Sequence, residues 1–192
     1  MTCPVQVEVL IDSREYHRPT STGRLINRVI PTSRGHLYRH DLPLVRSDIV
    51  RPDRTLWILH PMGAPPPVDV TPGSLQVLLL DGSWREAARM RQEVATWGRL
   101  VGLSMTGTSR YRLRSQQDTG KFSTIEALLF LLEALGLKQE HAQLRLQFEL
   151  HVYAGLRARG QKYAAAEFLA NSPVREALPD LVAEFNRRRA HE

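Results

Sequence analysis

Asp81, Ser83 and Trp84 lie within four consecutive residues, Asp81-Gly-Ser-Trp84, and their types can do chemistry together. A carboxylate can take up a proton or hold a cation. An indole offers a flat apolar face to a nucleobase or a hydrocarbon chain. The preceding run, Leu75-Gln-Val-Leu-Leu-Leu80, is continuously apolar apart from one glutamine and reads as a buried strand that delivers Asp81 to its C-terminal end. Gly82 lets the backbone turn, and Ser83 and Glu86 have the spacing of a capping box that opens a helix. In open α/β sheets ligands bind at the C-terminal ends of strands, beside helix N-termini. The plain structural alternative is an Asp-Gly turn and a capped helix, with Trp84 as core.

A second group of residues is cationic. Arg110, Arg112 and Arg114 alternate with Tyr111 and Leu113. An extended backbone would point the three guanidiniums one way, as a strip for phosphates with Tyr111 opposite. The alternative is a solvated charged loop. Arg85 and Arg89 share a helix face at i, i+4, and Arg14 and Arg18 can extend the same basic surface. Charge counts agree with this. The net charge is +6, and residues 84–121 carry eight basic against three acidic side chains, whereas residues 122–192 balance at nine each. Arginine outnumbers lysine 23 to three, and guanidinium grips phosphate through two N–H donors, which suits RNA. A genome rich in G and C would raise the arginine count too, but not its clustering.

The elements needed to position these groups can be read along the chain. Val5–Ile11 alternates and then turns apolar, a first strand. Thr20–Ile30 has capping hydroxyls followed by Leu25, Ile26, Val29 and Ile30 on one helical face, ended by Pro31. A short strand is expected at His36–Arg39, and another at Thr55–His60, stopped by Pro61. The strand at 75–80, a helix from about 83 to 96 and a short strand at Leu100–Met105 follow. Residues 106–122 are polar and irregular, a loop long enough to expect a function. Ser123 and Glu126 form another capping box, opening a helix through Leu137 with Gly136 near its end. Residues 142–153 alternate like a strand, yet Leu146, Leu150 and Tyr153 fit a helix, and good helix formers favour helix. A short helix after Gly160, Pro173 and an amphipathic stretch ending in Arg187-Arg-Arg189 complete the chain. The order predicts an α/β fold with a largely parallel sheet flanked by helices: one domain over residues 1–160, with 161–192 as its helical extension.

Other classes are excluded or disfavoured. The single cysteine, Cys3, rules out an intramolecular disulfide and a cysteine-based zinc site, and is expected to be frayed. No His, Asp or Glu cluster has metal-ligand spacing, so no metal is expected. No glycine-rich phosphate loop occurs. No apolar run is long enough to span a membrane and no basic-then-apolar leader opens the chain, so a cytoplasmic protein is expected.

Four blocks in order carry a resemblance: Arg14-Glu-Tyr-His-Arg-Pro-Thr-Ser-Thr-Gly-Arg-Leu25, Leu59-His-Pro61, Leu80-Asp-Gly-Ser-Trp-Arg-Glu-Ala-Ala-Arg89, and Ser109-Arg-Tyr-Arg-Leu-Arg114 with Phe122-Ser-Thr-Ile-Glu-Ala127. Over roughly residues 8 to 155 the chain resembles the DTW-domain family of tRNA-uridine aminocarboxypropyltransferases. The family's Asp-x-Thr-Trp signature reads Asp-Gly-Ser-Trp here, which keeps the capping hydroxyl. It departs in lacking a cysteine-rich opening segment, in Asp12-Ser13 where the family has His-Pro, and in Thr20-Ser-Thr-Gly23 for Thr-Asn-Thr-Gly.

The resemblance implies a SPOUT-like fold with a C-terminal trefoil knot, to which the 106–122 loop would contribute. It implies S-adenosylmethionine as co-substrate and tRNA as partner; the oligomeric state stays open, with a monomer favoured. The implied reaction moves the 3-amino-3-carboxypropyl group to N3 of a uridine and leaves methylthioadenosine. Asp81 is then the catalytic candidate, as base or as positioner of the sulfonium. Thr22 and Gly23 would meet the amino-acid part of the donor at a helix start, Leu59 and Pro61 would wall its adenine, with Leu103 similar, and Trp84 would face it. Ser123, Thr124 and Glu126 would begin a helix beside it. Each of these residues also has an ordinary role as cap, strand end or core. Arg14, Arg18, Arg85, Arg89, Arg110, Arg112 and Arg114 are the RNA-binding candidates, and His60 is expected to be structural. Two competing functions stand beside this one: a SPOUT-type methyltransferase, which would leave S-adenosylhomocysteine, and a non-catalytic RNA-binding module, which would not need Asp81.

Overall fold

A computed structural model describes residues 1–114 and 121–187. The first strand, β1 (Gln6–Asp12), runs into a single helical turn, α1 (Ser13–Tyr16), and then into α2 (Thr22–Val29). After these come β2 (Arg34–Tyr38), the short α3 (Arg46–Ile49), β3 (Thr55–Ala64), β4 (Leu75–Asp81), α4 (Trp84–Val94) and β5 (Arg99–Val101). The remainder is helical: α5 (Thr124–Ala134), α6 (Lys138–Ala158), α7 (Lys162–Ala170), α8 (Val174–Ala177) and α9 (Pro179–Arg187).

The five strands form one sheet in the order β2-β1-β4-β3-β5, and every pairing is parallel. Parallel strands need crossovers, and these cover both faces of the sheet. On one face Val7, Val9, Ile11, Val77 and Leu79 join Ile26 of α2, Ile125, Leu128 and Leu132 of α5 and Phe148 and Val152 of α6 in the main core. On the other, Leu10, Leu56, Ile58 and Leu78 meet Met90 and Val94 of α4. The apolar run of β4 is thus explained by burial on both faces. Its one polar member, Gln76, is fully buried and satisfied, donating to the Ile49 carbonyl at 2.6 Å and accepting from the Arg51 N–H at 2.9 Å.

The topology has a consequence at one point. From β1 the chain crosses to β2 on one side, and from β4 it crosses to β5 on the other. The adjacent C-terminal ends of β1 and β4 are therefore a switch point, where the connections diverge and leave a crevice. Asp12 ends one strand and Asp81 the other.

Several expectations need correction. Pro61 does not stop β3, which continues to Ala64. The strand leaves its ladder with β5 after Leu59 and returns at Ala64, so Pro61 sits in the irregularity, where its missing N–H costs no ladder bond. The strand expected at 100–105 is only Arg99–Val101, because the Gly102 N–H turns to the Ala64 carbonyl at 2.9 Å. The helix expected through Leu137 ends at Ala134, with Gly136 at φ +71° after it. The ambiguous 142–153 segment belongs to a 21-residue helix, but its buried stripe is Leu144, Phe148, Val152 and Leu156, while Leu146 and Leu150 are only half-buried. The one-turn α1 was not expected. Cys3 is half-buried against the core rather than frayed. Of the 106–122 loop, residues 115–120 lie outside the described residues, as do Arg188 and Arg189. Among the described residues no helix is long and apolar enough to cross a membrane.

Candidate active site

Asp81 is 3% exposed at the end of β4, and both its oxygens are held. The Ser21 hydroxyl donates to one at 2.9 Å and the Thr124 hydroxyl to the other at 2.6 Å. Ser21 caps α2, where its Oγ accepts the Arg24 N–H at 3.2 Å. Thr124 opens α5. Two helix starts therefore converge on one carboxylate, where their N-terminal dipoles favour negative charge. On the far side of Asp81 the capping box of α4 is complete: the Ser83 N–H donates to Glu86 at 2.7 Å, and the Glu86 N–H to Ser83 Oγ at 3.4 Å. Burial pushes the Glu86 carboxyl up, but the Ser83 N–H and hydroxyl, with Arg14 and Arg18, hold it below the usual glutamate range.

Gly23 packs directly on this carboxylate. A Cβ there would stand 2.6 Å from Asp81 Oδ2, so only glycine lets α2 approach so closely.

Asp81 opens into a cavity of about 600 Å³ lined also by Thr22, Trp84, Tyr111, Phe122 and Thr124. A smaller slot of about 110 Å³ adjoins it, lined by Leu59, His60, Pro61, Met105, Ala87 and Ala127. The two share Gly82, Trp84, Phe122, Ser123 and Thr124. Trp84 is 52% exposed, so its indole is a free face between a polar chamber and an apolar one, not a core side chain. In the slot His60 accepts the Met62 N–H on Nδ1 at 3.2 Å. Burial, then the charge of Arg91, pulls its pKa below the ordinary histidine value, so the ring is neutral at pH 7 with its hydrogen on Nε2.

The DTW domain profile matches residues 1–155. The chain belongs to the DTW-domain family. This is a family of tRNA-modifying enzymes. No curated protein and no solved structure matches the chain.

Within this DTW domain the signature run and the other motif blocks meet at the β1/β4 crevice, although Thr22 and Thr124 are 102 positions apart. Thr22, Leu59, Pro61, Trp84, Ser123 and Thr124 all line one cavity or both. Leu103 does not; it packs on the main core, and Met105 takes the place in the slot. Glu126 also lines neither. Its carboxylate accepts the Ser123 N–H at 2.7 Å, the Arg110 N–H at 2.7 Å and the Ser109 hydroxyl at 2.9 Å, clasping the 109–110 segment to the start of α5.

The three alternating arginines do not form a strip. The chain turns at 112–113, and each guanidinium finds its own carboxylate. Arg110 pairs with buried Glu149 at 2.8 Å and lies 4.3 Å over the Phe168 ring. Arg112 reaches the exposed Glu167 at 3.1 Å. Arg114 pairs with Glu15 and lines the Asp81 cavity. Tyr111, expected opposite the strip, is buried, with its hydroxyl donating to the Thr20 carbonyl. Arg85 and Arg89 are exposed on α4, without a carboxylate partner among the described residues. Arg14 reaches Glu86 at 3.8 Å, and Arg18 reaches Glu15 at 2.7 Å.

Ser21, Glu15 and Arg159, like Met105 and Lys121, were not singled out from the sequence. Ser21 lies inside a quoted motif, and its signal was a hydroxyl at a helix start. Glu15 also lies inside one, but nothing in a sequence marks one glutamate among many as buried. Arg159, which lines the cavity from the end of α6, carries no sequence signal at all.

Proposed function

We propose that the protein transfers the 3-amino-3-carboxypropyl group of S-adenosylmethionine to N3 of a uridine in tRNA. The observation that carries this reading is Asp81: a buried carboxylate at a topological switch point, gripped by two hydroxyls, facing a cavity beside an exposed indole. The donor supplies an activated carbon on a sulfonium. Its adenine is flat and largely apolar, and its amino-acid half is zwitterionic. An apolar slot adjoining a polar cavity, with Trp84 between them, suits both halves.

Asp81 takes the uracil N3 proton, which is too weakly acidic to leave unaided. The N3–C bond forms as the C–S bond breaks, and the sulfur keeps the electron pair as neutral methylthioadenosine. The Ser21 and Thr124 hydroxyls hold the Asp81 carboxylate in one orientation while leaving each oxygen a further lone pair. Trp84 stacks on the adenine or the uracil, and the cations of Arg85 and Arg89 grip tRNA phosphates.

The test is incubation of the purified protein with S-adenosylmethionine and unmodified tRNA, followed by chromatography and nucleoside mass spectrometry. Methylthioadenosine and a uridine heavier by the aminocarboxypropyl group are expected. S-adenosylhomocysteine with a methylated nucleoside would establish the methyltransferase instead. Asp81→Asn keeps the size of the side chain and removes its basicity. It is expected to fold and to lose roughly 100-fold or more in turnover, the usual worth of a general base. Near-normal turnover would leave Asp81 as a turn residue.

A further inference from the structure

The Asp81 cavity holds more cations than proton transfer uses. Arg18, Arg114, Lys121 and Arg159 line it, against the two carboxylates of Asp81 and Glu15. These cations are not equivalent. The Arg18 side chain is 54% exposed, at the rim. Arg159 donates to the Leu113 carbonyl at 2.6 Å, which ties it to the turn. Arg114 is set deeper and is fixed from two sides. Its Nη2 donates to Glu15, and its guanidinium lies 5.8 Å over the Tyr111 ring, which is itself anchored to Thr20.

Glu15 is the unusual member. It is 1% exposed, with one oxygen on Arg18 and the other on Arg114. Desolvation raises its carboxyl pKa despite both arginines. A buried ion pair of this kind contributes little net stability. What it does achieve is to immobilise one planar guanidinium in the cavity wall. Its Nη2 end is engaged by Glu15 and its side chain also hydrogen-bonds Tyr111; a guanidinium has five N–H donors, more than these two partners use, so it can also bind a second anion.

We propose that Arg114, braced by Glu15, binds the α-carboxylate of the donor and restricts the enzyme to donors that carry it. This inference rests on the function proposed above. In the donor the carboxylate carbon is three bonds from the carbon that is transferred. With that carbon at the Asp81 end of the cavity, the carboxylate must lie within the same chamber, where a fixed guanidinium is the matching group. The charge of Arg114 also acts on the same space as that of Asp81, since the two groups influence each other electrostatically. Arg114 is thereby assigned to a carboxylate rather than to an RNA phosphate.

Calorimetric titration with S-adenosylmethionine and with its decarboxylated analogue tests this in the full-length protein. Three forms are compared: wild type, Arg114→Gln, and Glu15→Gln/Arg114→Gln. The double variant removes the buried carboxylate together with its partner, so it keeps the fold if Arg114→Gln alone does not. Removal of a charge-assisted hydrogen bond predicts S-adenosylmethionine affinity lower by about 10–100-fold in the variants. The decarboxylated analogue should bind all three forms within about threefold. The proposal is overturned if both ligands weaken equally or if neither does. It is also overturned if the variants keep S-adenosylmethionine affinity and instead show a shallower salt dependence of tRNA binding, which would make Arg114 a phosphate-binding residue. If wild type binds neither ligand, this inference falls with the function it rests on. If wild type binds S-adenosylmethionine and the variants weaken both ligands equally or neither, it falls alone.

Discussion

The backbone of Gly23 lies against the carboxylate of Asp81 so closely that one added methyl would stand 2.6 Å from Oδ2. The two residues are 58 positions apart, and their close approach fixes how α2 meets the end of β4. In an ordinary helix interior, Gly→Ala stabilises by about 1 kcal/mol. Here the gain should be offset by displacement of Asp81 or of α2. Gly23→Ala is expected to melt near the wild-type temperature and to lose at least roughly tenfold in turnover, since about 1 Å of misplacement is costly in catalysis. Melting curves and single-turnover kinetics check this. Unchanged turnover would mean that the Asp81 position is not critical.

Trp84→Ala separates binding from stability. A core tryptophan would cost several kcal/mol when truncated, but an indole 52% exposed should cost about 1 kcal/mol or less. Calorimetry should show weaker binding of S-adenosylmethionine or tRNA, while the melting temperature shifts by only a few degrees. A large drop in stability with unchanged binding would return Trp84 to a packing role.

The arginines should divide into two behaviours. Arg110→Gln takes a partner from buried Glu149 and leaves it Arg145 among the described residues, so a loss of about 1–3 kcal/mol in stability is expected from denaturant unfolding. Arg112→Gln breaks an exposed pair and should be nearly silent. Arg85→Gln/Arg89→Gln should leave stability alone and weaken tRNA binding. The log–log salt slope should shrink by roughly 0.7–0.9 for each phosphate no longer neutralised. An unchanged slope would place the RNA surface elsewhere.

Protonation of half-buried histidines should contribute to the acid limb of stability. Burial, then the charge of Arg28, lowers the His151 pKa below its ordinary 6.5. Burial also lowers His60 and His141. The unfolded chain then binds these protons first, so the stability they contribute is complete above about 6.5 and is lost as the pH falls below it. His151→Gln should flatten this limb below about pH 6.5 in melting curves. An equal fall in wild type and variant would show that His151 protonates in the folded state without penalty.

Local rules made most of the elements legible. The apolar run before Asp81, the Ser83/Glu86 box and the hydroxyls at 20–22 specify their strand end and helix starts through interactions within a turn or two of chain. The parallel sheet likewise followed from the order of strands and helices. What failed locally failed for a tertiary reason: Pro61 continues β3 because β5 accepts a register shift there, and α6 buries Leu144 and Phe148 rather than Leu146 because α5, α7 and α2 pack on that side.

The site was legible in its residue types and not in its partnerships. Asp81 could be picked out because a carboxylate after a buried strand is unusual. That Ser21, Gly23 and Thr124 converge on it could not, since hydroxyls and glycine at helix starts are ordinary capping chemistry wherever they occur. The arginine alternation was a correct observation with the wrong geometry. Alternation orients side chains only if the backbone is extended, and the turn at 112–113 sends each guanidinium to a different acidic residue. Which carboxylate an arginine finds depends on which distant helices the sheet order brings beside it. The strand order β2-β1-β4-β3-β5 sets α1 against the 109–114 segment, and that decision belongs to the packed sheet rather than to any stretch of sequence.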